Sequence, residues 1–306
     1  PGCDAEIEAA SRIFSSGYQL VADIAYRIAH TPHCRRLVVY QRQSKPSSIS
    51  GTAGKHRIRV IESEGNAIFK DLKKLHGGRA IKKQGRTLVC GERLTKEVIG
   101  AAPQRCRAWI SQGNRIPPPE AAPAKMDWIQ LSTDLFRSLD LFGTRTPMVL
   151  YEFPKMQDWQ PEEHPPAGCS LLVPFQDPEN VGAVIRTAAA MSVGRIILLA
   201  ESANPFHPKA VRASAGTVFS APLMQGPCLS DLPRELPVIA LSSTGKPLAE
   251  APFPPAFYLL TGMEGPGLPR RWQGNAVSIP MASGVESLNA AVATAIALYE
   301  WRRSVS

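Results

Sequence analysis

Three stretches of this chain join an apolar run to a polar, turn-rich loop, and those loops hold the residues best suited to chemistry on a bound ligand. The last runs from Asn275 to Arg303. A short apolar strand (Val277 to Ile279) meets a turn punctuated by Pro and Gly, then an alanine-rich helix with Ser287 and Asn289 at its start. In open α/β sheets such loops and helix N-termini face one crevice, where ligands bind. Ser and Asn are also ordinary capping residues, so this stretch alone leaves both readings open. Residues 169 to 191 repeat the design: an apolar run, a DPEN turn containing Asn180, and a helix from about Val181 carrying Arg186 and Thr187. Residues 256 to 268 give another apolar run, which breaks into a loop holding Gly262, Glu264, Gly265 and Gly267.

In order, spacing and residue types these three blocks resemble motifs 1, 2 and 3 of the SpoU (TrmH) family, the RNA 2′-O-ribose methyltransferase branch of the SPOUT superfamily. The resemblance is close over about residues 168 to 303 and weaker back to about Ile61. It implies a C-terminal α/β domain with a mostly parallel sheet and a deep trefoil knot, S-adenosyl-L-methionine as methyl donor, an RNA substrate and a homodimer. The family's polar motif positions fall here on Asn180, Arg186, Glu264, Ser287 and Asn289, which become the catalytic candidates. Its cofactor positions fall on Ser242, Leu260, Gly262, Gly265, Ile279, Met281 and Leu288. Glycines let a main chain approach a ligand closely, and apolar side chains can wall an adenine ring.

Arg186 is expected to bind the phosphate beside the target ribose and to stabilise a developing alkoxide, because a guanidinium is effectively never deprotonated in a protein and cannot serve as a base. Asn180 and Asn289 would fix ribose and loop geometry, Glu264 would orient the glycine loop, and Ser287 would hold the 2′-hydroxyl or the neighbouring loop. Each residue also has a plain structural alternative: turns for the glycines, core for the apolar residues, and a surface ion pair for Arg186 and Glu264.

The elements that must position these groups divide by charge. The chain carries a net +9, but residues 1 to 150 hold 24 Lys/Arg against 13 Asp/Glu, and residues 151 to 306 hold 11 against 13. Ten basic and three acidic residues lie between Lys55 and Arg86. That density suits a phosphate backbone, and it would also suit a solvated basic face. The candidate RNA contacts are Lys73, Lys74, Arg79, Lys82, Lys83 and Arg86, with Arg212 extending the path into the second half. Six scattered cysteines lack the spacing of a zinc site or a disulfide framework and read as reduced thiols of a cytoplasmic protein. No metal is expected, and no run of 18 apolar residues indicates a membrane span.

The sequence organises into a helical N-terminal extension (1–54), a basic α/β RNA-binding domain resembling a ribosomal-protein fold (55–153), a Pro-rich linker (154–168) and the SpoU-type domain (169–306). Helical spacing predicts helix over 4–29, with a strand at Arg36 to Tyr40 and a polar loop after it. A basic helix with Ile68, Leu72 and Leu75 is followed by a polar turn, a strand TLVCG and another helix. Strands are expected again at 108–110, 128–131 and 148–152. Beyond the linker, strands at 171–173, 196–199, 217–219, 238–241, 257–261 and 277–279 alternate with helices, the pattern of a sheet covered on both faces.

The expected activity is methylation of a ribose 2′-hydroxyl, in ribosomal RNA before transfer RNA because of the ribosomal-protein resemblance. A non-catalytic RNA-binding protein that keeps the fold is the alternative from another class. A nucleotide-phosphate loop at GMEGPG is disfavoured, since the Lys-Ser/Thr pair of a P-loop is missing.

Overall fold

The computed structural model describes residues 18–27, 34–42, 56–161, 166–262 and 267–305, without side chains for the first two segments and Asn275. Contacts divide the chain into two units, 1–54 and 55–306. In the first, β1 (Tyr18–Arg27) and β2 (Cys34–Arg42) form an antiparallel pair with a bulge between Leu20 and Ala22. The second strand was expected; the first replaces the expected helix. Tyr18, Leu20, Ala22, Ile24 and Tyr26 alternate with other residues at a period of two, and that alternation outweighs the looser three-to-four spacing that suggested a helix. The rest of 4–29 lies outside the described residues.

The second unit contains two sheets. The first is five-stranded, from β3 (Ile58–Ile61), β4 (Arg86–Cys90), β5 (Cys106–Gln112), β6 (Asp127–Leu131) and β7 (Met148–Glu152), in the order β3-β6-β5-β7-β4. It is mixed: β3, β6 and β5 run parallel, and β7 is antiparallel to both β5 and β4. Its helices are α1 (Ala67–Lys74), α2 (Gly78–Gln84), α3 (Glu92–Ala101) and α4 (Thr133–Leu139). Asn66 caps α1 through its side-chain oxygen, which accepts from Ile68 N (2.9 Å), and the helix buries Phe69 and Leu72. Helix α2 stands where a polar turn was expected. Ile81 is its one buried residue, too little to leave a periodic signal, and left-handed Gly85 (φ 64°) ends it.

The other sheet has seven strands, all parallel: β8 (Gln157–Asp158), β9 (Gly168–Val173), β10 (Arg195–Leu198), β11 (Leu223–Gln225), β12 (Val238–Pro247), β13 (Ala256–Thr261) and β14 (Ala276–Ser278). Their order is β14-β12-β13-β9-β10-β11-β8. From β9 the chain builds outward through β10 and β11, then crosses to the far side for β12, β13 and β14. The reversal lies between β9 and β13, where open sheets place ligands.

Consecutive residues of the strands go to opposite cores. Leu171 and Val173 pack with Leu259 and Ala297 on one face, while Leu172 packs with Leu260, Tyr258 and Trp159 on the other. Burial on both faces is why these strands read as unbroken apolar runs. Three helices, α5 (Pro178–Ala190), α6 (Pro208–Ala213) and α7 (Ala290–Val305), accompany this sheet.

Two details differ from the sequence reading. The strand expected at 217–219 is a 3₁₀ turn entered through left-handed Gly216 (φ 86°), and the real strand comes later, at 223–225. Part of the 154–168 segment joins the sheet as its edge strand β8, and Trp159 is buried edge-on to Tyr258 with ring centroids 5.7 Å apart. The two sheets share one continuous core. Phe153 stacks on Phe206 (3.9 Å between centroids), and Tyr151 meets Phe219 (4.6 Å).

Candidate active site

Because every strand of the second sheet points the same way, the loops leaving β12, β13 and β14 gather at one edge, together with the N-termini of α5 and α7. They enclose a cavity of about 400 Å³. Its floor is fixed by register. Val277 pairs with Leu241 and Leu241 with Thr261, so three adjacent strands present neighbouring residues, and all three line the cavity. After Leu241 the β12 backbone bows away and Val277 pairs again with Lys246. Ser242 lies in that bow, its Oγ accepting from Thr244 N (3.3 Å). A Cβ on Gly245 would overlap the Ala276 carbonyl, which only glycine avoids.

The helix start that the sequence left ambiguous serves both purposes. Asn289 caps α7, its Oδ1 accepting from Ala291 N (2.9 Å) and Val292 N (3.2 Å). Its Nδ2 donates to Asn180 Oδ1 at 2.9 Å, tying the first helix after β9 to the last helix of the domain. Asp177 caps α5 in turn, accepting from Glu179 N (2.8 Å).

Eight of the predicted site residues come together around the cavity: Asn180, Ser242, Gly262, Ile279, Met281, Ser287, Leu288 and Asn289. Leu260 does not. It points to the opposite face and joins the core of Trp159 and Tyr258, because strand alternation sends 260 and 261 apart. Thr261, which sequence reasoning passed over, occupies the wall instead; applying the period of two to β13 would have found it. Leu241, Leu268, Val277, Ala290 and Ala293 were also missed as lining, their signal being indistinguishable from core. Glu264 and Gly265 lie outside the described residues. Arg186 is exposed on α5, outside the cavity, and among the described residues no hydrogen bond or ion pair holds it.

Five of the basic candidates occupy the other sheet's helices α1 and α2, Arg86 opens its strand β4, and Arg212 lies on α6. Arg79, Lys82 and Lys83 are exposed on α2 without ion pairs among the described residues. Lys73 donates to the Ser138 carbonyl, Lys74 pairs with Asp71 (2.9 Å), and Arg86 lies 3.9 Å from Glu152. Glu152 also accepts from Arg107 at 2.7 Å, and this bond holds its carboxyl below the usual range. Arg212 lies over the Phe142 ring, 4.4 Å from its centroid, at the join between the sheets.

Two observations test whether a nucleoside cofactor suits this cavity. A Cβ at Gly262 would come within 3.0 Å of the Gly267 backbone, so the main chain at these two lining positions approaches too closely to leave room for a side chain. Thr261 Oγ1 is buried on the cavity's floor residue with no hydrogen-bond partner, a state that costs about 1–3 kcal/mol unless something satisfies it. The residues fit.

Fold and cavity together define an α/β domain whose ligand cavity lies at one edge of a wholly parallel sheet. The AdoMet-bound rRNA methyltransferase of Sinorhizobium meliloti is similar with a TM-score of 0.64 and 25% identity, covering 81% of this chain and 99% of its own. The SpoU methyltransferase AviRb of Streptomyces viridochromogenes, solved with AdoMet, gives 0.64 and 25% over 78% and 98%. Residues 170–299 match the family model described as SpoU rRNA Methylase family. Among sequence relatives, the Ribosomal RNA small subunit methyltransferase G 2 of Syntrophobacter fumaroxidans is 52% identical across the whole of this chain, which spans 62% of that relative's length. The 23S rRNA (guanosine(2553)-2′-O)-methyltransferase RlmP of Bacillus subtilis is 29% identical over 80% of this chain and all of its own.

Proposed function

We propose that this chain methylates a ribose 2′-hydroxyl of RNA, ribosomal RNA in preference to transfer RNA, using S-adenosyl-L-methionine. The observation that carries the reading is the cavity itself: residues from all three polar blocks meet there and are locked by the Asn289–Asn180 hydrogen bond. The relatives' names, which concern ribosomal RNA of both subunits, support the choice of RNA.

On this reading the backbone at Gly262 and Gly267 and the apolar side chains of Ile279, Met281, Leu268 and Leu288 hold the cofactor, which when bound supplies an electrophilic methyl group. Asn180 and Asn289 fix the loop against which the ribose is placed, Ser287 orients the 2′-hydroxyl, and Glu264 orients the glycine loop. Arg186 stabilises the negative charge that develops on the attacking oxygen, and the proton leaves to a phosphate oxygen or water.

Arg186 stands outside its own cavity, which favours a homodimer in which it serves the partner's. Helix α7 supports this: Val292 (49% exposed), Ile296 (37%) and Tyr299 (59%) form an apolar stripe at spacings of four and three, opposite its buried face. The knot implied by the family resemblance belongs to the same reading, placed where 276–290 returns beside the bowed segment 242–245. Residues 55–153 would supply the RNA-binding domain, through Arg79, Lys82 and Lys83 above all, with the 1–54 unit as an extension and the cytoplasm as the compartment.

Calorimetry with S-adenosylmethionine, then mapping of 2′-O-methyl sites in ribosomal RNA treated with the protein, tests the activity. Binding without any methyl transfer to ribose would leave an RNA-binding protein that keeps the fold. Sedimentation of Ile296→Lys tests the dimer, which should become monomeric.

A further inference from the structure

A second cavity, of about 270 Å³, opens where the two sheets meet. Its walls come from the end of β4 and the start of α3 (Cys90, Arg93, Leu94), from the turn after α4 (Phe142) and from α6 (Arg212). The methyl-transfer reading leaves it unused.

Unbalanced charge marks this cavity. Glu92, the one carboxylate among its lining residues, is paired with Lys96 (2.7 Å), and Arg93 is paired with Glu97 (3.5 Å). Asp140 accepts from the backbone N–H groups of Phe142 (3.2 Å) and Arg145 (2.7 Å). Arg212 has neither an acidic partner nor a hydrogen bond among the described residues. What holds it is the Phe142 ring, 4.4 Å from Cζ to centroid, and an aromatic face orients a guanidinium without neutralising it or occupying its N–H groups. That fork stays available for an anion with two acceptor oxygens, and a phosphate matches it in geometry.

The cavity's position says whose phosphate. Strand β4 opens at Arg86, just after the basic helix α2, and ends at Cys90 in the cavity, roughly 13 Å further on at the usual rise per residue. On the other side α6 lies directly on α5, since a Cβ on Gly182 would overlap the Ala210 carbonyl. Helix α5 in turn carries Asn180 into the first cavity. An RNA strand reaching from the basic helices to the methylation site would pass Arg212.

We infer that this second cavity grips a phosphate of the substrate RNA, with Arg212 as the main contact, and so bridges the basic sheet and the catalytic one; this rests on the RNA-methylation reading above. The site adds a fixed point to a surface whose other cations are long, solvated side chains.

The test uses the full chain and deproteinised ribosomal RNA in filter binding over a range of salt, with calorimetry of S-adenosylmethionine and urea unfolding alongside. Arg212→Gln keeps a polar side chain and removes the charge. It should raise the RNA Kd by roughly tenfold or more, the scale of a charge-assisted hydrogen bond, and reduce the slope of log K against log salt by about 0.7–0.9, the share of one phosphate. S-adenosylmethionine affinity should stay as in the wild type. Arg212→Lys should restore the salt slope yet bind several-fold more weakly than the wild type, because the charge returns without the fork. A lower urea midpoint with RNA affinity and slope unchanged in the glutamine variant would make Arg212 a structural residue packed on Phe142 and overturn the inference. So would a wild type that binds AMP or inorganic phosphate, and loses it with Arg212→Gln, while RNA affinity holds, since the cavity would then be a small-anion site. Wild-type protein that binds no RNA removes the RNA-methylation reading itself, whereas an RNA-binding wild type with a normal glutamine variant removes this inference alone.

Discussion

In the five-stranded sheet two of the four covering helices close on lysine pairs, α1 on Lys73 and Lys74 and α2 on Lys82 and Lys83. In the seven-stranded sheet the starts of α5 and α7, capped by Asp177 and Asn289, bring Asn180 and Asn289 to the cavity. Strand direction accounts for the difference in use. A wholly parallel sheet brings every loop and helix start that leaves its strands to one edge, so its polar groups converge on a single crevice. A mixed sheet sends its loops both ways, and its lysines, favoured at helix C-termini by the macrodipole, spread over an outer surface. One geometry concentrates contacts on a small ligand. The other suits an extended anion.

This contrast can be broken at several points. The largest effect is expected at Arg186, which belongs to the parallel half yet stands outside its cavity. Arg186→Ala should lower the single-turnover methylation rate by roughly a hundredfold or more with cofactor affinity unchanged. Arg186→Lys should keep a large part of the defect, because the planar fork is lost while the charge remains. Normal turnover by the alanine variant would take the residue out of the chemistry.

Next is the basic surface. Reversing Lys82 and Lys83 to Glu should weaken RNA binding by roughly tenfold or more and flatten its salt dependence, while S-adenosylmethionine binds as before. If filter binding showed no change in either quantity, the RNA path would have to run elsewhere.

A smaller effect is expected of Asn289→Ala. Removing the cap should cost about 1 kcal/mol in urea unfolding and loosen the cavity, raising the cofactor Kd several-fold.

The smallest concerns the join between the halves. His207 Nδ1 accepts from Lys209 N and its Nε2 donates to the His76 carbonyl (3.0 Å), while His76 Nε2 donates to the Leu139 carbonyl (3.0 Å). Burial lowers the proton affinity of both rings from the ordinary 6.5. The unfolded chain therefore takes up protons first as pH falls, and stability should decline from about pH 6.5 downward until the folded rings titrate, with a plateau above pH 7. Urea midpoints between pH 5 and 8 measure this, and His207→Gln should flatten the slope.

Legibility divided along the same line. The parallel half announced itself because strands buried on both faces leave uninterrupted runs such as LLV, IIL and FYLL, each stopped by a polar loop. Eight cavity residues could then be placed through the family resemblance. The register error at Leu260 has a simple cause: in such runs both neighbours are apolar or small, so the sequence does not say which faces inward. Elements that bury little were hardest. Helix α2 hides one residue, and β8 is two residues inside a stretch whose prolines and charges read as linker. In the first unit, small and apolar residues at several spacings made a strand look helical. A chain cut at Ala167 would lose β8 and the buried Trp159, and with the first sheet gone Phe206 and Phe219 would keep each other but lose Phe153 and Tyr151.

The bond between Asn180 and Asn289 has a consequence for how the protein comes into being. It joins groups 109 residues apart in sequence, and the second of them caps the final helix of the domain. Synthesis runs from the N-terminus at about 5–20 residues per second, so the basic sheet has emerged and can fold well before the cavity has its last wall. A nascent chain can therefore complete its five-stranded sheet before its cavity exists, and the cavity closes only when the helix beginning at Ala290 has cleared the exit tunnel.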